Sequence, residues 1–201
     1  MLFFAHRINS STKLQSIEQK YGVELDLRDY LNDIVVEHDP YKKGESFKEY
    51  IQHINDRDMI LNVKCERIEE DVLAILKENN YKGTYFFLDC SFPMIYALAK
   101  KGENNIALRF SEYEGIDTLR KMKGLVKWVW VDVFTVLPLT NEICKELKEM
   151  NYSICIVSPE LQGHEEDIKT YANIIKNNNL HIDAICTKEY NISKWQTYLD
   201  N

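Results

Sequence analysis

Short apolar runs alternate with amphipathic segments along the whole chain, and this alternation is the feature that most constrains the fold. The runs are rich in β-branched and aromatic residues and have the length of strands. Most are apolar at nearly every position, which indicates strands covered on both faces, as in a parallel sheet. The predicted strands are residues 2–5, 23–27, 34–37, 59–63, 85–88, 106–110, 128–134, 153–157 and 184–187.

The segments between the runs carry apolar residues three and four positions apart, a spacing that predicts helices. The predicted helices are residues 11–21, 46–54, 68–79, 92–101, 111–123, 140–150 and 165–178. One connection, residues 28–33, is too short for a helical crossover, so the two strands that it joins are expected to form a hairpin.

The repeated strand–helix pattern with one extra hairpin strand after the second strand predicts an α/β fold. The simplest arrangement is a compact (β/α)₈ barrel, smaller than the ~250 residues typical of that fold. An open doubly wound sheet is the alternative, but the chain has no glycine-rich strand-to-helix turn of the nucleotide-binding kind.

Composition narrows the class of protein further. The chain has 201 residues and a formal net charge of 25 − 32 = −7, which argues against nucleic acid as a partner. It shows no break in composition, so residues 1–201 are expected to form one domain. No apolar run approaches the ~20 residues of a membrane span, and the N-terminus does not resemble a signal peptide. Five scattered cysteines without a CxxC pair predict reduced thiols and a cytoplasmic protein. The sequence does not determine the oligomeric state.

Polar and charged residues collect where the predicted strands end. In a barrel, the carboxyl ends of the strands form the face on which catalytic residues lie. These positions therefore hold the candidate functional residues, which are His6, Arg7, Glu24, Asp26, His38, Asn62, Lys64, Arg109 and Asp132.

Two of the candidates are carboxylates on one predicted strand. Glu24 and Asp26 alternate with Val23, Leu25 and Leu27, so both carboxylates are expected on the same face of that strand. Two buried carboxylates repel each other unless a cation lies between them. Oxygen ligands of this kind favour Mg²⁺ or Ca²⁺.

The remaining candidates suit chemistry at a phosphate. His6 and His38 can act as acid and base near neutral pH. Arg7, Lys64 and Arg109 can hold a phosphate group and stabilise its developing charge. Together with the carboxylates, they predict metal-assisted phosphodiester chemistry.

The order of these motifs resembles that of a known family, the glycerophosphodiester phosphodiesterases. The likeness covers nearly the whole chain in order and is most specific in its first 64 residues. The matching motifs are His6-Arg7, Glu24-Leu25-Asp26, His38-Asp39 and Asn62-Val63-Lys64, followed by weaker matches at Ser91-Phe92 and Thr187-Lys188.

The resemblance implies a TIM barrel that holds a Mg²⁺ or Ca²⁺ ion and hydrolyses a small phosphodiester. In the family, a substrate hydroxyl attacks phosphorus and water completes the reaction. The resemblance assigns acid/base catalysis to two histidines, phosphate contacts to two cations and metal ligation to two carboxylates, namely His6 and His38, Arg7 and Lys64, and Glu24 and Asp26.

Two departures from the family pattern bear on the site. Asn62 stands where the family has a glutamate, so it offers an uncharged amide oxygen as a weaker ligand. Asp89 or Asp132 could compensate as a further ligand. The substrate-covering module that the family commonly inserts is also absent, because only 26 positions separate His38 from Lys64.

These departures leave two alternatives to a hydrolase. The chain could be a binding or scaffold module on a barrel that has lost its metal. It could also be a lyase-like enzyme that stops at a cyclic phosphate.

A third departure from the family pattern lies at the terminal motif, where this chain has Thr187-Lys188 and the family has Thr-Asp.

Overall fold

The computed structural model describes residues 1–200 and contains, within them, ten strands and eight α-helices in largely alternating order. The strands are β1 (Leu2–Ala5), β2 (Gly22–Tyr30), β3 (Asp33–Val36), β4 (Glu45–Ser46), β5 (Met59–Val63), β6 (Tyr85–Leu88), β7 (Ala107–Phe110), β8 (Trp128–Val131), β9 (Ser153–Val157) and β10 (Ala184–Thr187). The helices are α1 (Ser11–Ser16), α2 (Phe47–Tyr50), α3 (Glu69–Glu78), α4 (Phe92–Lys100), α5 (Asp117–Lys121), α6 (Asn141–Glu149), α7 (Ile168–Asn177) and α8 (Ile192–Asp200). The predicted α/β class is confirmed.

The chain divides into two compact units. The first unit comprises residues 4–101, and the second comprises residues 1–3 with the residues from 102 onward. The first unit holds the ends of β1, β2, β5 and β6, and seven of the nine candidate residues lie in it. The expectation of one domain over residues 1–201 stays a prediction.

The sheet of the first unit is built around β2. This strand runs parallel to β1 on one side and to β5 on the other, and β5 runs parallel to β6. Val23, Leu25 and Leu27 are fully buried, and so are the carboxylates of Glu24 and Asp26 that alternate with them. Both faces of β2 are therefore covered, as its sequence predicts.

The predicted hairpin is present and extends past the carboxyl edge of this sheet. Leu27 pairs with Val63 at the end of β5, and Arg28, Asp29 and Tyr30 continue beyond it to pair with β3. The two-residue strand β4 pairs with β3 and was not predicted, because two residues carry no periodicity.

The second unit contains four parallel strands in the order β7, β8, β9, β10. Cys155 and Cys186 are fully buried in its strands, and all five cysteines are free thiols. Burial raises the pKa of the Cys155 thiol well above its usual range, so this cysteine serves as a small apolar side chain.

Helix α1 is shorter than the predicted helix over residues 11–21, and Arg57 supplies the reason. Its guanidinium donates to the carbonyl oxygens of Ile17, Glu18 and Tyr21, at 3.0, 2.6 and 2.9 Å. Arg57, which precedes β5, thus donates to carbonyl groups that would accept hydrogen bonds within the helix if it were longer.

We expect Arg57→Met to lower the free energy of unfolding by about 3 kcal/mol, because it leaves these carbonyls without a donor. Urea denaturation of both proteins measures the difference. Arg120→Met is the matched control, since Arg120 lies exposed and bonds Glu146 at the surface. A loss for Arg57→Met no larger than that of the control would contradict the assignment.

Three further elements differ from the predicted ones. The predicted helix over residues 111–123 is reduced to α5, because the Ser111 hydroxyl accepts the backbone N–H groups of Tyr113 and Glu114 in a turn. The predicted strand over residues 128–134 ends at Val131. Helix α8 was missed, although Ile192 and Trp195 have helical spacing and are buried. No helix within residues 1–200 is long and apolar enough to cross a membrane.

Candidate active site

The carboxyl ends of the strands of the first unit bring seven of the nine predicted residues close to one another. The parallel register sets Asp26 of β2 opposite Asn62 of β5. Hydrogen bonds and ion pairs then link the group, which consists of His6, Arg7, Glu24, Asp26, His38, Asn62 and Lys64.

Glu24 lies at the centre of this group and is fully buried. Its Oε2 accepts the backbone N–H of Arg7 at 2.7 Å, and its Oε1 accepts the Asn62 amide at 2.8 Å. Burial, and then the charge of Asp26, raises the pKa of Glu24 to about 7. His6 Nε2 lies 3.7 Å from Glu24 Oε2, within the range of an ion pair when the imidazole is protonated.

Asp26 is also fully buried and faces two cations. Lys64 Nζ lies 3.6 Å from its Oδ1, and Arg7 Nε lies 3.8 Å from its Oδ2. Asn9 donates to Oδ2 at 2.8 Å and accepts the backbone N–H of Asp26 at 3.0 Å. Asn9 was not predicted from the sequence. The one signal that the sequence offers for it is its position three residues after His6, and this is too weak to select it.

The contacts of His38 determine its tautomer. Its Nδ1 lies 2.9 Å from Asp39 Oδ1, and its Nε2 lies 2.7 Å from Arg7 Nη2. A guanidinium cannot accept a hydrogen bond, so Nε2 carries the lone pair and Nδ1 carries the proton. Hydrogen bonds from His38 and Lys42 lower the pKa of Asp39 to about 2, and its carboxylate holds the ring in this form.

Two residues of the site adopt left-handed backbone conformations. Arg7 has φ 54° and Asp89 has φ 59°. Residues other than glycine rarely adopt this backbone region, and those that do often lie at functional sites. Asp89, one of the compensating ligands considered from the sequence, instead bonds Lys64 at 3.2 Å.

Comparison with solved structures identifies the fold. A glycerophosphodiester phosphodiesterase from Agrobacterium tumefaciens has a TM-score of 0.68 and 12% identity, covering 94% of this chain and 97% of that one. A phosphodiesterase from Oleispira antarctica has a TM-score of 0.67 and 16% identity, covering 100% and 97%. A glycerophosphodiester phosphodiesterase from Thermotoga maritima has a TM-score of 0.64 and 18% identity, covering 96% and 97%. The chain has the glycerophosphodiester phosphodiesterase fold.

The resemblance that the motifs indicated is thus confirmed at the level of the fold. No protein-family model matches the sequence, and no curated protein matches it. At 12–18% identity, the similarity to these structures shows the fold alone.

Three side chains of the first unit offer oxygen atoms that suit a hard cation. Asp26 Oδ1 and Asn62 Oδ1 are buried without a hydrogen-bond partner. Together with the Glu24 carboxylate, they supply the oxygen donors that Mg²⁺ and Ca²⁺ prefer. The donor set therefore fits a divalent cation with two charged ligands and one neutral ligand.

The other two predicted residues pair with each other in the second unit. Arg109 of β7 donates to Asp132, which follows β8 and is buried. Gln162 lies 3.4 Å from the second carboxylate oxygen of Asp132. The predicted phosphate contact of Arg109 and the predicted metal contact of Asp132 stay predictions.

Another group in the second unit has the composition of a metal site. This group consists of His164, Glu166 and Asp167, whose possible ligand atoms all lie within 4.8 Å of one another. Among the described residues, no other three His, Cys, Asp or Glu side chains meet this distance. Glu166 is exposed and the other two are half-buried, as is common in acidic surface loops without an ion.

Proposed function

We propose that this protein is a metal-dependent phosphodiesterase that hydrolyses a small phosphodiester. The observation that carries the proposal is the hydrogen-bonded series from Asp39 through His38 to Arg7, which lies beside the buried carboxylates of Glu24 and Asp26. Such a series combines a base of known tautomer with a cation that can bind a phosphate.

His38 is the general base in this proposal. Its unprotonated Nε2 faces Arg7, so a phosphate bound to Arg7 would lie beside the atom that accepts a proton. The base removes the proton from the attacking hydroxyl as the new P–O bond forms. Asp39 stabilises the resulting imidazolium through Nδ1.

His6 is the general acid. Its Nε2 lies 3.7 Å from Glu24 Oε2, and a protonated imidazole at this position can protonate the departing alkoxide as the old P–O bond breaks. Arg7 and Lys64 bind the non-bridging phosphate oxygens, and a phosphate contact of Arg109 stays a prediction.

Glu24, Asp26 and Asn62 would hold the Mg²⁺ or Ca²⁺ ion. When bound, the cation supplies positive charge that stabilises the developing charge of the phosphate group. Asn62 contributes no charge, so we expect weaker binding than that of a site with three carboxylates. The role of Asp132 as a metal ligand stays a prediction.

The solved relatives support the substrate class. The Oleispira antarctica phosphodiesterase holds the product sn-glycerol-3-phosphate. By analogy of fold, we propose that a glycerophosphodiester is the first substrate class to test.

We expect phosphodiester hydrolysis that requires a divalent metal and stops in EDTA. The purified protein is offered glycerophosphocholine, glycerophosphoglycerol and bis(p-nitrophenyl) phosphate with Mg²⁺, Ca²⁺, Mn²⁺ or EDTA, and turnover is measured. Phosphorus NMR identifies the product, and a cyclic phosphate as the final product would favour the lyase-like alternative.

Calorimetric titration with the same metals provides a second measurement. Silence in both the titration and the hydrolysis assay would overturn the proposal in favour of a binding or scaffold module. Metal binding without turnover would retain the metal site and direct attention to the substrate.

A further inference from the structure

A cleft of about 430 Å³ lies beside the β2–β3 hairpin, and we call it the hairpin cleft. This volume lies within the range of small-molecule sites. The cleft is lined by Arg28, Asp29, Tyr30, Leu31, Pro40 and Tyr41.

The hairpin cleft lies next to the candidate active site along β2 and along the segment that follows His38. Side chains alternate along a strand, so Arg28 and Tyr30 share the face of β2 that carries Glu24 and Asp26. At about 3.3 Å per residue, Arg28 lies about 7 Å and Tyr30 about 13 Å beyond Asp26 along the strand. From the other side, Pro40 follows two residues after His38. A group attached to a phosphate at Arg7 therefore has the reach to enter the cleft.

Two lining residues combine strain with exposure. Leu31 has φ 56° with 86% of its surface exposed, and Tyr41 has φ 63° with 96% exposed. Bulky side chains are disfavoured in this backbone region, and large apolar side chains are disfavoured in water. The two-residue turn of the hairpin accounts for the positive φ of Leu31, and the exposure of both side chains leaves apolar surface that a ligand can cover.

The cleft also contains two charged side chains. Arg28 donates through Nη2 to the backbone oxygen of Lys64 at 3.2 Å. Asp29 supplies a carboxylate next to it. The lining therefore combines apolar and aromatic surfaces with one cationic and one anionic group.

We propose that the hairpin cleft binds the alcohol portion of the phosphodiester and that this portion is a polyhydroxylated ring, of the sugar or cyclitol class. Such a ring has an apolar C–H face for the Tyr and Leu side chains and hydroxyls for Arg28 and Asp29. An acyl chain would offer no polar group to Arg28 and Asp29, and the additional phosphates of a nucleotide would face the Asp29 carboxylate. The inference rests on the proposed phosphodiesterase function and names the substrate class of the same site.

The test compares a ring substrate with an acyclic one. We expect kcat/KM for glycerophosphoinositol to exceed that for glycerophosphoglycerol by about tenfold, the size of one good aromatic contact. Tyr41→Ala is expected to bring the ratio of the two values close to one. Leu31→Gly should also lower the ratio, and because glycine accepts the positive φ, this variant keeps its thermal stability.

Tyr96→Ala is the matched control, because Tyr96 is an exposed tyrosine on α4, outside the cleft. It should leave the ratio unchanged. A ratio near one in the unaltered protein, or an equal loss for both substrates in Tyr41→Ala, would overturn the proposal.

Saturation-transfer NMR with glycerophosphoinositol separates this inference from the proposed function. If no diester is hydrolysed, transfer from the protein to the inositol protons that disappears in Tyr41→Ala would retain the ring site while the phosphodiesterase proposal fails. Absence of transfer in the unaltered protein would overturn the ring site as well.

Discussion

His38→Ala is expected to reduce phosphodiester hydrolysis by about 10²- to 10⁴-fold, the usual contribution of a positioned general base. The change removes the Nε2 atom that faces Arg7 and leaves Asp39 without its imidazole partner. Turnover of glycerophosphocholine in saturating metal measures the loss. His53→Ala is the control, because His53 is exposed and lies outside the site.

His6→Ala tests the acid in the same assay, and the leaving group separates the two histidines. A p-nitrophenolate leaves without protonation, so glycerol p-nitrophenyl phosphate, which keeps the attacking hydroxyl, should restore much of the activity of His6→Ala. It should not restore that of His38→Ala, whose step precedes departure of the leaving group. Equal rescue of both variants would show that the acid and base assignments are wrong, and full activity in either variant would remove that histidine from the mechanism.

Asn62→Asp is expected to produce the second large effect, with opposite signs in the absence and presence of metal. In EDTA, the variant adds a third buried carboxylate beside Glu24 and Asp26, and we expect a loss of about 3 kcal/mol in the free energy of unfolding. With Mg²⁺ or Ca²⁺, the added charge should tighten metal binding by at least about tenfold, because affinity rises with ligand charge.

Urea denaturation in EDTA and calorimetric titration with each metal measure these effects. Asn141→Asp is the control, since Asn141 is exposed at the start of α6. An Asn62→Asp variant that binds metal no more tightly than the unaltered protein would contradict the proposed donor set. The Asn62 side chain would then act as a hydrogen-bond donor to Glu24 and as nothing more.

Much of the candidate site could be predicted because its residues follow strand ends. Alternation along β2 places Glu24 and Asp26 on one face, and the register with β5 brings Asn62 to the same edge. These relations depend on strand periodicity, which the sequence displays directly. The resemblance to the phosphodiesterase family added roles to the positions that periodicity had selected.

The partners within the site could not be predicted, because each depends on contacts between distant positions. Asn9 reaches Asp26 across 17 positions, and Arg7 reaches His38 across 31. A side chain that joins two strand ends leaves no periodic signal in either segment. The tautomer of His38 was therefore available only from the contacts of both ring nitrogens.

The sequence by itself determined the order of all strands and helices except β4 and α8, the hairpin and the edge on which the polar residues lie, because each follows from local periodicity and from the length of a connection. Tertiary structure decided where α1 ends, that Arg109 bonds Asp132 and that a cleft lies beside Leu31 and Tyr41. These features depend on side chains that meet only after the strands have paired, and the energies of such contacts are set by burial and geometry rather than by neighbours in the chain.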